Sequence, residues 1–195
     1  MSDKKNLVLA SSSTYRKALL LKLGLPFVTI APAVDETPHP NEPPQALVKR
    51  LAIAKARAVA EKQRNALVIG SDQVAVHAGK IIGKPHTHDN AVRQLRAVSG
   101  TTIILYTGLA LINSDTGRIQ SEVIPFQVVF RELSDRQIET YLRREQPYDC
   151  AGSVKSEGLG IALLERMEGE DPNTLIGLPL IRLTRMLENE GITVI

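Results

Sequence analysis

The sequence predicts a single α/β domain, on three observations. The chain has 195 residues, enough for one well-buried core and short for two independent domains. Apolar runs too short to be helices, led by Leu67-Val68-Ile69, alternate with stretches of helical period. With 43% hydrophobic and 23% charged residues, the composition is that of a globular chain, neither disordered nor fibrous.

Asn6–Ala10 reads as a strand, and Ser11-Ser12-Ser13-Thr14 leads from it into a helical pattern over Arg16–Leu23. Hydroxyls at a helix N-terminus either cap the helix or, with Arg16 as a bidentate partner in the first turn, bind an anion. Tyr15 is a packed edge residue or a ring offered to a ligand. Phe27–Ala31 is a second strand. Pro32, Pro38, Pro40, Pro43 and Pro44 then exclude regular structure from a long connection. Within it Glu36 is either a metal ligand or acid, or one carboxylate of a solvated loop.

Gln45 to about Arg64 is an amphipathic helix with Leu47, Val48, Leu51, Ala54, Ala58 and Val59 on one stripe. Lys55 projects inside that stripe, so its ammonium must snorkel out or meet an anion. The apolar run at 67–69 is expected to break at Gly70-Ser71, leaving Asp72 and Gln73 just beyond a strand end, where open α/β sheets place their chemistry. Asp72 is then a turn former or a carboxylate aimed into a cleft. Val74–Val76 and Ile81-Ile82 form a hairpin turning at Gly79, which returns Lys84 towards Asp72.

His86-Thr87-His88-Asp89 lacks a third ligand cluster and reads as the entry, capped by Thr87 or Asp89, to a helix that ends at Ser99-Gly100. Thr102–Ile112 and Gly117–Phe130 are long strands joined by a polar turn. Ser134 caps a helix of about ten residues ending near Arg144. Cys150–Gly158 is a run of small residues unlike core, through which a backbone can approach a ligand. Gly160–Arg166 reads as a strand, and Leu178-Pro179 opens a last helix with Leu180, Leu183 and Leu187 inward.

Lys and Arg exceed Asp and Glu by 24 − 21 = 3, and the pI is about 9.1, which suits an anionic ligand without requiring nucleic acid. An aromatic share of 4% with no Trp argues against a single-strand nucleic-acid binder. One cysteine, Cys150, excludes an intramolecular disulfide, and the N-terminus lacks a signal-peptide core, so a reducing cytoplasm is expected. No apolar run is long enough to cross a bilayer, and no P-loop occurs.

Leu9-Ala-Ser-Ser-Ser-Thr-Tyr-Arg16, Asp35-Glu36, Gly70-Ser-Asp-Gln73, Gly83-Lys-Pro85 and Gly152–Gly158, all in order, resemble the Maf family of nucleoside triphosphate pyrophosphatases across essentially the whole chain. The resemblance implies a mixed, twisted sheet flanked by helices, of the inosine triphosphatase type, with two lobes around a cleft. It implies a cut between the α- and β-phosphates that depends on a divalent cation, Mg²⁺, Mn²⁺ or Co²⁺. It makes Asp72 the proton acceptor, although the residues themselves leave base and metal ligand both open. A triphosphate needs cations and donors, which Ser11, Arg16, Lys55 and Lys84 supply, and carboxylates for the metal, which Glu36 and Asp72 supply. A homodimer is common in such families; no nucleic-acid or membrane partner is expected.

The base is read from three positions. Glu157 stands where members acting on thymidine or uridine triphosphates carry glutamine, and an ionised carboxylate suits the paired N–H donors of a guanine edge. Tyr15 offers a π-face, which attracts the cationic ring of 7-methylguanine. With Gln73 these residues resemble the 7-methyl-GTP branch of the family. Lys17, where the family has a second arginine, departs from the pattern and cannot reproduce an arginine fork.

Overall fold

The computed structural model describes residues 5–195. Residues 1–4, part of the N-terminus expected to carry no signal core, lie outside the described residues. The strands are β1 (Asn6–Leu9), β2 (Phe27–Thr29), β3 (Ala66–His77), β4 (Lys80–Ile82), β5 (Thr102–Asn113), β6 (Ile119–Phe130) and β7 (Leu164–Glu168). The helices are α1 (Thr14–Leu21), α2 (Pro44–Ala60), α3 (His88–Val98), α4 (Asp135–Glu145), α5 (Asn173–Ile176) and α6 (Leu180–Glu188). The strands make one seven-stranded sheet in the order β2-β1-β3-β5-β6-β7, with β4 on β3. The sheet is mixed: β1 runs parallel to β2 and β3, whereas β4 is antiparallel to β3 and β7 to β6. This is the expected α/β class.

Contacts divide the chain into two compact units. One runs through Gln73 and includes Thr107–Ile124 and Asp171–Ile195; the other is Val74–Tyr106 with Pro125–Glu170. In the first, the period-two alternation of each strand loads both faces of the sheet. Leu7, Leu9, Leu67, Ile69, Leu109 and Leu111 pack with Leu19 and Leu20 of α1 and Leu183 and Leu187 of α6. Their neighbours Val8, Ala66, Val68, Ala110 and Ile112 pack with Ala52, Ala56 and Val59 of α2. The small residues on the α2 side are a consequence of how close that helix comes.

That closeness explains the main correction to the sequence reading. Gly70 and Ser71 do not break a strand, because β3 runs unbroken for 12 residues and carries Asp72 in its interior. Gly70 is there for space: a Cβ would lie 2.1 Å from the Ala52 carbonyl oxygen and 2.8 Å from the Ala56 nitrogen. Gly108 does the same on β5, where a Cβ would lie 2.1 Å from the Val48 carbonyl oxygen. The helix therefore turns Ala52, Ala56 and Ala60 to the sheet, while the expected Ala54 and Ala58 are only half-buried. It starts at Pro44, whose fixed φ suits the first turn, and ends at Ala60, four residues before Arg64.

In the second unit Ala75, Val76 and His77 pair with Ile82, Ile81 and Lys80, confirming the hairpin about Gly79. Thr87 caps α3 and Ser134 caps α4 through a full capping box, as their side chains predict. Two expectations are corrected here. Gly152 and Ser153 of the small-residue run are buried, with the Ser153 hydroxyl donating to Gln94 Oε1 at 2.6 Å. The strand expected at Gly160 begins only at Leu164, because Leu159–Leu163 form a tight 3₁₀ turn; a Cβ on Gly160 would lie 2.5 Å from the Lys155 carbonyl oxygen.

Gly70→Ala is expected to force α2 off β3 at a cost on the order of 3 kcal/mol, lowering Tm by roughly 6–12 °C. Gly83→Ala, where a Cβ meets nothing within 4 Å, should leave Tm within about 2 °C. Thermal unfolding of both variants checks this; equal shifts would contradict it.

Candidate active site

The first unit gathers four of the predicted site residues around one ammonium group and its surroundings. Lys55, on α2 between Ala52 and Ala56, is drawn to the sheet with them and is buried, 6% exposed. Its Nζ donates to Asp72 Oδ1 at 2.7 Å and lies 2.8 Å from Glu36 Oε1. Asp72 is 7% exposed, whereas the Glu36 side chain is 60% exposed. So the lysine neither snorkels nor sits idle: it meets two carboxylates. Burying an ion pair costs desolvation of both partners and is tolerable only when they hold each other closely.

Arg16 feels the same charges. Burial pulls its guanidinium below the ordinary value, and the negative charge of Asp72 and then Glu36 pulls it back up. Its Nε donates to the Gly177 carbonyl at 3.0 Å, and the buried Ser71 hydroxyl donates to the same oxygen at 2.8 Å. Gly177, at φ +115°, follows α5 in the left-handed region that favours glycine. Gln73 is fixed from the same segment: its Nε2 donates to Thr174 O and to Thr107 Oγ1, both at 2.7 Å. A backbone carbonyl can only accept, so this contact sets which way the amide faces, with Oε1 left for a ligand.

The hydroxyl run divides its labour. Ser13, not Ser11, caps α1 by accepting from the Arg16 backbone N–H. Ser11, buried, accepts from the Ser13 N–H at 3.1 Å and keeps its own proton to donate. Tyr15 is 44% exposed on the first turn of α1. The helix covers Thr14–Leu21, so Leu23 of the expected pattern falls beyond it.

Two predicted residues belong to the second unit. Lys84 follows β4, is exposed, and among the described residues has no ion pair; the ammonium at Asp72 is that of Lys55. Glu157 is exposed in the 150–158 run and accepts from the Ser156 hydroxyl at 3.1 Å. His88, discounted as a metal ligand, lies 3.0 Å from the Tyr148 hydroxyl and 3.1 Å from Glu139. No group of three metal-ligating side chains occurs among the described residues.

Ser71, Thr107, Thr174 and Gly177 were missed in the sequence. Ser71 stands inside the Gly70–Gln73 motif, and Gly177 precedes Leu178-Pro179 as a helix stop. Thr107, inside an apolar strand run, gives no signal. The pair Arg50 and Glu42 was also missed: Arg50 Nε and Nη2 donate to the two oxygens of Glu42, both at 2.7 Å. Chiefly through these hydrogen bonds, the Glu42 carboxyl is lowered to about 2.

Two oxygens, Asp72 Oδ1 and Glu36 Oε1, converge on one point now taken by an ammonium. Such a carboxylate pair suits a hard divalent cation.

A family model described as Maf-like protein matches residues 6–190. A 7-methyl-GTP pyrophosphatase from Nitrosococcus oceani is 60% identical over 97% of this chain and 95% of that protein. Proteins of the same description from Methylobacillus flagellatus and Colwellia psychrerythraea are each 56% identical, over 97% and 98% of this chain and 98% and 96% of theirs. The Ham1 protein of Staphylococcus aureus, a solved structure, is 17% identical over 67% of this chain and 73% of its own, with a TM-score of 0.44.

Lys55→Met should destabilise the protein by about 3–5 kcal/mol, because it strands the buried Asp72 carboxylate. Adding Asp72→Asn should recover part of that loss, with a coupling of about 1–3 kcal/mol in denaturant unfolding; additivity would contradict the pairing. Glu42 is held below its ordinary 4.5, at about 2. Its stabilisation is therefore complete above pH 4.5 and lost as pH falls towards 2. Accordingly, the Tm gap between the wild type and Glu42→Gln should narrow steadily below pH 4.5, and a gap that widens there would contradict this.

Proposed function

The chain belongs to the Maf family, and from that membership we propose that it is a metal-dependent pyrophosphatase converting 7-methyl-GTP to 7-methyl-GMP and pyrophosphate. The observation that carries the reading is Lys55 Nζ held 2.7 Å from Asp72 and 2.8 Å from Glu36, in a chain whose relatives at 56–60% identity are described as 7-methyl-GTP pyrophosphatases. It treats residues 1–195 as one domain, supported by a family match over residues 6–190.

In this reading Asp72 takes a proton from water as the water oxygen bonds to the α-phosphorus. The bond from that phosphorus to the bridging oxygen breaks, and pyrophosphate leaves with the electron pair. Lys55 holds the Asp72 carboxylate in place through its 2.7 Å hydrogen bond to Oδ1. Arg16 and the free proton of Ser11 bind phosphate oxygens, with the α1 N-terminus adding backbone donors. Lys84 is assigned to the leaving phosphates; its exposure leaves it free to meet a ligand. Glu36 and Asp72 would hold a divalent cation, Mg²⁺, Mn²⁺ or Co²⁺, which would supply positive charge to the phosphate oxygens.

Tyr15 and Glu157 are assigned to the base. Both are exposed, so a ring can stack on one and a guanine edge can donate to the other. The two donor contacts that hold Gln73 narrow its part to its Oε1. The cytoplasm is the compartment assigned, supported by a lone free cysteine, Cys150; among the described residues no helix is long and apolar enough to cross a membrane. A homodimer is carried over from the family resemblance alone.

A hydrolysis screen with Mn²⁺ against 7-methyl-GTP, GTP, UTP and TTP should place 7-methyl-GTP first. Glu157→Gln should shift preference towards UTP by about tenfold or more, the worth of one charge-assisted edge contact. If UTP or TTP leads in the wild type, the base assignment is wrong; if no nucleotide is cut, the pyrophosphatase reading fails, and a non-catalytic nucleotide-binding regulator linked to septum formation takes its place.

A further inference from the structure

Glu36 has to reach a buried ammonium from a connection that contains four prolines and, between β2 and α2, no helix or strand. Its side chain is 60% exposed, and an ion pair with so exposed a partner holds weakly. Its position must therefore be set by the loop that carries it. Arg50, one and a half turns before Lys55 on the same helix, ties that loop at two points. Its fork grips both oxygens of Glu42, and Nη2 also donates to the carbonyl of Thr37, the residue after Glu36, at 3.1 Å. Glu42 in turn accepts from the His39 backbone N–H at 3.0 Å, and the Asp35 carboxylate accepts from the Thr37 N–H at 2.9 Å. These bonds fasten the backbone just after Glu36 to α2, and the Asp35–Thr37 bond braces the loop across Glu36.

We infer that Arg50 and Glu42 are a positioning pair that delivers the Glu36 carboxylate to Lys55 and Asp72, and so builds one side of the proposed cation site. The inference rests on the assignment of Glu36 to the metal. Neither residue touches the substrate or the cation; both act through Glu36. The fork matters as well as the charge, because one guanidinium must satisfy Glu42 twice and Thr37 once. Lysine, a point charge with no planar fork, cannot do that.

The test is Mn²⁺ binding to the full chain without nucleotide, followed by electron paramagnetic resonance of the free ion, in wild type, Glu42→Gln, Arg50→Lys, Glu36→Gln and Glu36→Gln combined with Glu42→Gln. Thermal unfolding at pH 7 shows that each variant is folded. The Nζ signal of Lys55 in ¹⁵N-lysine spectra gives a second readout that needs no metal. Glu42→Gln and Arg50→Lys should each weaken Mn²⁺ binding roughly tenfold, as loss of an outer partner does, and should move the Lys55 signal. In the Glu36→Gln background Glu42→Gln should change binding less than about twofold, since both act through one carboxylate. If Glu36→Gln weakens Mn²⁺ and Glu42→Gln does not, or if their effects multiply, the positioning pair is refuted and the metal assignment stands. If Glu36→Gln leaves Mn²⁺ binding unchanged, both the assignment of Glu36 and the pair built on it are refuted.

Discussion

The close approach of α2 to the sheet at Gly70 and Gly108 is the constraint on which the site depends. A helix backbone within 2.1 Å of where a Cβ would stand must place its inward residues against the strands, and Lys55 lies between two of them. Asp72 sits two residues after Gly70 on β3, so the same contact that packs α2 brings ammonium to carboxylate. Packing and chemistry share one cause here. The small residues Ala52, Ala56 and Ala110 on that face are buried completely, and larger ones would lift the helix and pull the pair apart.

Around this fixed pair the other groups are set by backbone carbonyls and ion pairs in loops. Gly177 O receives Arg16 and Ser71, and Thr174 O receives Gln73 and Thr107. The turn that holds them is in turn fixed by Asp171, 2% exposed, whose oxygens accept from the N–H groups of Asn173 and Ile181. These hydrogen bonds satisfy both oxygens of the buried carboxylate. The loop bearing Glu36 is held by Arg50 and Glu42. The lysine–aspartate pair is thus fixed between α2 and the sheet, whereas Glu36 stands on a tethered loop, a division suited to a site that must admit a charged ligand and release product.

Much of this was legible in the sequence. Strong periodicity gave β5, β6, α4 and α6 to within a few residues, and side chains that cap by themselves, Thr87 and Ser134, marked α3 and α4. Lys55 was visible as a cation on an apolar stripe. What sequence could not show was distance. Gly70 reads as a strand breaker because a glycine required for close packing looks the same as one that ends a strand. The stripe of α2 was rotated for the same reason. Lys55 reaches Asp72 through the tertiary packing of α2 on β3, which no local pattern spells out. Thr174 and Gly177 act through main-chain oxygens, which every residue has, and so leave no compositional trace. Arg50 and Glu42 were two charges among many until the fork joined them.

The central claim is that Asp72, held by Lys55, activates water against the α-phosphorus. Single-turnover hydrolysis of 7-methyl-GTP in H₂¹⁸O, with mass spectrometry of products from the wild type and Asp72→Asn, tests it most directly. The account predicts ¹⁸O in 7-methyl-GMP, none in pyrophosphate, and a rate lowered on the order of 10²–10⁴-fold in the variant. Label in pyrophosphate, release of single phosphate, or an undiminished rate in Asp72→Asn would contradict it.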